Sequence, residues 1–81
     1  DLFALEIANL GDDWLRYLAD QLKKPYFRTL KEFIRSEEVA KRVVFPPPPL
    51  IYQWARLCPL DTCKVVIIGQ DPYHNDHQAM G

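Results

Sequence analysis

Through the first half of the chain apolar residues recur every three or four positions. Near its end they bunch without alternation, and prolines mark the corners between the two regimes. Residues 2–10 (LFALEIANL) predict a helix that Gly11 ends. Asp12 or Asp13 can cap a second helix, because a short carboxylate accepts from the free amides of a first turn. Trp14, Leu15, Leu18 and Leu22 share one face of it and predict a buried stripe. Pro25 stops that helix, since its ring clashes with the preceding turn. A third helix is predicted from about Pro25 to Ala40. It would bury Phe27, Leu30, Phe33 and Ile34 and leave Arg28, Lys31, Glu32 and Arg35 in water. Pro46 to Pro49 suit a stiff extended segment. The last proline can open a short helix, to about Arg56, that buries Ile51, Trp54 and Ala55.

The bunched segment is "CKVVIIG". Val65 to Ile68 are β-branched throughout and do not alternate with polar residues, the pattern of a strand covered on both faces. Gly69 ends it. The expected fold class is therefore α/β, with helices followed by the first buried strand of a parallel sheet. A single strand leaves its amides and carbonyls without partners, which is costly for each buried group. Residues 1–81 are accordingly expected to be the amino-terminal portion of one larger domain, or else a piece that pairs with its own copies.

The formal charge of −1 predicts no basic surface overall. Its distribution is uneven: residues 1–22 sum to −4 and residues 23–42 to +4. A basic middle segment could face a polyanion, although a solvated helix face explains it as well. Cys58 and Cys63 are spaced for neither a zinc knuckle nor a redox motif, and reduced thiols inside a cell are expected. No apolar run approaches the ~20 residues of a membrane span.

The remaining chemistry sits just past the predicted strand, in Gly69–Gln70–Asp71–Pro72–Tyr73–His74. Ligands of open parallel sheets bind outside the carboxyl ends of the strands. Pro72 stiffens the turn and holds Asp71 extended. Taken singly, an Asp before Pro is a turn residue, a Tyr after it is packing, and a His is surface. Their order changes that. "GQDPYH" followed by "QAMG" resembles the water-activating motif of the family 1 uracil-DNA glycosylases, GQDPYHxxxQAxG. "KKPYFRTLKEF" and "FPPPPLIYQW" fall upstream in that family's order, so the resemblance covers the chain from Trp14 onward. The wording of "FPPPPLIYQW" and "VVIIGQDPYH" looks like the herpesvirus branch, which would put the protein in a host nucleus.

The resemblance implies a three-layer α/β/α domain that excises uracil from DNA without a metal or other cofactor. Asp71 would be the catalytic carboxylate, with His74 holding the water and a DNA phosphate. Tyr73 would set its ring against uracil C5, and the backbone of Gln70 and Asp71, stiffened by Pro72, would donate to a uracil carbonyl. Gln78 and Gly81 match the motif's continuation and would shape the pocket floor. The uracil-stacking aromatic, the second proline-serine loop, the uracil-reading Asn and the His-Pro-Ser wedge that the family carries further on are not among these 81 residues. The chain alone is therefore expected to be inactive, and the contrasting reading is a truncated fragment that only self-associates. Two further readings use the same residues. Asp71, His74 and His77 are metal-ligand types, and Pro46 to Pro49 could serve as a polyproline ligand.

Overall fold

The computed structural model describes residues 2–81 as four helices and two single 3-10 turns. Helix α1 spans Ala4–Asn9, α2 Asp12–Leu22, α3 Pro25–Val39 and α4 Gln53–Leu57. The 3-10 turns cover Pro48–Leu50 and Leu60–Thr62. The glycine and proline punctuation sets these limits. Gly11 is the residue before α2 and holds φ at +83°, where a side chain would be strained. Pro25 is the first residue of α3, where its missing amide is no loss.

Asp13 does not cap α2 from outside. It lies within the first turn, where its Oδ1 accepts from the Trp14 amide at 2.8 Å and its Oδ2 from the Leu60 amide at 2.7 Å. Those two amides hold its carboxyl below the usual value of 3.8. One side chain thus joins the start of α2 to the turn after α4. Trp14 reinforces the joint, since its Nε1 donates to the Cys58 carbonyl at 2.8 Å.

Around this joint lie the buried apolar residues Leu10, Trp14 and Ala55, with Leu15, Leu18, Leu22, Tyr52, Leu60 and Cys63 packed against them. Trp14 meets the Trp54 ring edge-on at 5.0 Å between centroids, an arrangement that aromatic quadrupoles favour. The predicted α2 stripe is therefore present. The predicted α3 stripe is not core: α3 has no buried residue, and Leu30 and Phe33 are exposed. The pattern on α3 is amphipathic, but its apolar face is covered only in part: Phe27 stacks on Phe3 at 6.0 Å between centroids, while Leu30 and Phe33 are left open. The single helix expected from Pro49 to Arg56 is divided into the 3-10 turn and α4, and Trp54 lies at its half-exposed edge.

A second joint is polar. Glu6, on α1, is 1% exposed. Its Oε2 accepts from Lys31 Nζ on α3 at 2.9 Å and from the Tyr52 hydroxyl before α4 at 2.6 Å. Its Oε1 is buried without a partner. Burial first, and then the carboxylate beside it, push the Tyr52 hydroxyl well above the ordinary tyrosine value of 10.0. Three parts of the chain thus meet on one carboxylate oxygen.

The fold class expected from sequence is overturned. Among the described residues there is no strand and no sheet. Val65 to Ile68, expected to be buried on both faces, are between 74% and 90% exposed. A strand is defined by the neighbour it bonds to, and no segment within residues 2–81 offers this run an edge. β-Branching alone cannot supply one.

Candidate active site

The segment carrying the candidate chemistry leaves the body of the molecule at Cys63 and rejoins it at Gly81. Between these points Gln70 and Asp71 form a bend, and Pro72, Tyr73 and His74 continue in irregular backbone. All five side chains are exposed, Tyr73 to 68%. A weak turn follows, in which the Gln78 amide donates to the Asn75 carbonyl at 3.4 Å. Within it His77 takes a φ of +64°, which is uncommon for a residue with a Cβ.

The return is anchored by backbone. The Gly81 amide donates to the Leu50 carbonyl at 3.0 Å, tying the end of the motif to the turn that closes the proline run. A Cβ on Gly81 would fall 1.7 Å from the Ile51 carbonyl oxygen, so only glycine fits this approach. The resemblance implies a place for Gly81 in a pocket floor; in the structure it is the point where two motif segments touch. Below the loop lies a cavity of about 480 Å³, lined by Trp14, Leu18, Trp54, Cys58, Cys63, Val65, Val66, Ile67 and Gly81. The candidate residues Gln70 to His74 do not line it.

The loop therefore presents a carboxylate, a phenol and an imidazole to solvent within four positions, without enclosing a pocket around them. Such groups can reach a large ligand such as a nucleic acid strand, and they do not by themselves exclude water from it. Among the described residues no three His, Cys, Asp or Glu side chains converge as a metal site, so Asp71, His74 and His77 are not brought together as ligands. The proline run is built into the corner that Gly81 docks on, and its last two residues belong to the 3-10 turn Pro48–Leu50. No described helix is long and apolar enough to cross a membrane.

The chain is similar to base-excising N-glycosyl hydrolases from distant organisms. It is 52% identical over 80 residues to the uracil-DNA glycosylase of Saccharomyces cerevisiae, covering 99% of the chain and 22% of that enzyme. With the uracil-DNA glycosylase of Schizosaccharomyces pombe it shares 49% over 80 residues, covering 99% of the chain and 24% of the enzyme. With that of Pseudomonas paraeruginosa it shares 50% over 72 residues, 89% of the chain and 31% of the enzyme. Agreement at this level along the chain supports its membership of the uracil-DNA glycosylase family. The chain spans between a fifth and a third of the length of these relatives. They are fungal and bacterial, which lends no support to the herpesvirus resemblance. No family model and no solved structure matches the chain.

Proposed function

We propose that these residues supply the water-activating part of a uracil-DNA glycosylase, an enzyme of base excision repair that hydrolyses the bond between uracil and deoxyribose in DNA. The observation that carries this reading is the run Gly69–Gln70–Asp71–Pro72–Tyr73–His74, set within a chain about half identical to enzymes of that name. Breaking the N-glycosidic bond leaves positive charge on the sugar. The Asp71 carboxylate stabilises that charge and orients the water that adds to the sugar carbon. The electrons of the broken bond leave with uracil as its anion, and the proton lost by the water ends on that anion, giving free uracil and an abasic sugar. His74 holds the water and a backbone phosphate. The Tyr73 ring bars a methyl group at C5, and the Gln70 and Asp71 backbone, braced by Pro72, addresses a uracil carbonyl. The base reaches these groups only after it has been flipped from the stack.

Openness of the loop supports a second part of the proposal. Tight binding of the transition state needs an enclosed, water-poor site, and the described residues leave theirs open. On its own the chain does not excise uracil. Transplanted into the yeast enzyme in place of its matching stretch, it does. The test is release of abasic sites from uracil-containing single-stranded DNA by the chimera and by the chain alone. A chimera with no activity, despite a folded circular-dichroism spectrum, refutes the assignment.

Self-association of the isolated chain is a reading that one observation favours. Four consecutive β-branched residues, Val65 to Ile68, stand in water, and contiguous apolar surface of this kind drives association. Light scattering across a concentration series should show growth in mass that Val66→Lys with Ile68→Lys abolishes. A constant monomer mass contradicts it.

A further inference from the structure

The two cysteines play no part in the glycosidase reading, and what they do is independent of it. They flank the 3-10 turn Leu60–Thr62, with the Cys58 amide donating to Trp54 O at 3.0 Å and the Cys63 amide to Leu60 O at 3.2 Å. The turn is pinned from α2 at two points, by Trp14 Nε1 on the Cys58 carbonyl and by Asp13 Oδ2 under the Leu60 amide. Pinning brings both half-buried thiols to the wall of the same 480 Å³ cavity, beside Trp14 and Trp54. There the Cys58 thiol donates to the Pro59 carbonyl at 3.9 Å and the Cys63 thiol to the Val65 carbonyl at 3.8 Å, one on each side of the turn.

We propose that Cys58 and Cys63 form a redox modification site, one that takes a hydroperoxide as oxidant and closes to an intramolecular disulfide. One thiolate attacks a peroxide oxygen. The O–O bond breaks, and the products are a sulfenic acid and hydroxide, which takes up a proton. The second thiolate then attacks that sulfur. The S–S bond forms, the S–O bond breaks, and hydroxide leaves to become water. Two thiols and one hydrogen peroxide give one disulfide and two waters. The ring fastens the end of α4 to the start of the segment leading to Gln70. Burial and the neighbouring thiol raise the Cys63 thiol above its ordinary value of 9.0. Its thiolate is scarce at neutral pH, so closure accelerates in alkaline solution.

The experiment uses the whole chain and hydrogen peroxide. Trypsin releases both cysteines in the single peptide Leu57–Lys64. The expected product is a monomer in which this peptide is lighter by about 2 Da, the two hydrogens lost on oxidation, and regains them with dithiothreitol. Tryptophan emission should fall as the ring closes, and Cys63→Ser should remove the fall. Against glutathione, the effective concentration of the pair should be roughly tenfold higher in the native chain than in concentrated guanidinium chloride. The proposal is overturned if the peptide gains oxygen without losing hydrogen, if disulfides form only between chains, or if native and denatured effective concentrations are equal.

Discussion

Replacing Lys31 with Met should remove a large share of this protein's stability. The side chains of Lys31 and Glu6 are 11% and 1% exposed and meet at 2.9 Å. At that distance the attraction is about 6 kcal/mol for an effective dielectric near 20, before the cost of dehydrating both ions is set against it. Removing one partner strands the other. A buried charge so orphaned costs about 3–5 kcal/mol. The Tyr52 hydroxyl still donates to Glu6 Oε2 at 2.6 Å, so Lys31→Met belongs near 3 kcal/mol, the lower end of that range. An 81-residue domain holds only about 4–12 kcal/mol in total. Glu6→Gln should cost less, about 1–2 kcal/mol, because the stranded ammonium keeps some contact with water. The double variant removes both charges and keeps an acceptor for Tyr52. It should be more stable than Lys31→Met alone, with a coupling of at least about 1 kcal/mol. Urea unfolding followed by Trp14 and Trp54 emission measures all four corners of the cycle. Costs that add within about 0.5 kcal/mol would refute the buried pair as the joint between α1 and α3.

Alkaline stability tests the same joint from its third member. The folded state raises the Tyr52 value above 10.0, so its contribution is complete below the unfolded tyrosine value and is lost as pH rises above it. Above about pH 10 the unfolding free energy should fall by up to about 1.4 kcal/mol per pH unit on its account. Tyr52→Phe should remove that slope in a urea series, and an unchanged slope contradicts the assignment. Gly81→Ala should break the hydrogen bond from its amide to the Leu50 carbonyl, because its Cβ cannot approach the Ile51 carbonyl. Losing about 1 kcal/mol of closure lowers hydrogen-exchange protection of that amide about fivefold, with helical circular dichroism unchanged. Equal protection in the variant would contradict the anchor.

What the sequence revealed was local. Gly11 and Pro25 act on the residues beside them, so the limits of α2 and α3 could be placed from spacing alone. Burial could not be placed that way. Phe33 and Leu30 repeat at helical spacing, yet their exposure depends on whether another element lies across them. Val65 to Ile68 fail as a strand for the same reason, since pairing is a property of two segments. Glu6 sits inconspicuously inside LFALEIANL. Its partners Lys31 and Tyr52 stand 25 and 46 residues away, and one acid in an apolar run was the only local sign. The candidate site divides similarly. The identities and order of Gln70, Asp71, Pro72, Tyr73 and His74 were legible as a resemblance. The docking of Gly81 on Leu50 was not, because it is made by backbone atoms that no side-chain pattern encodes.

The measurement closest to the central claim is uracil release by the yeast chimera carrying residues 2–81, with Asp71 intact and with Asp71→Asn. Asn keeps the shape and loses the charge that faces the developing oxocarbenium. The account predicts a fall in kcat of roughly 100-fold or more with DNA binding retained. An Asp71→Asn chimera that excises uracil as fast as its parent would contradict it.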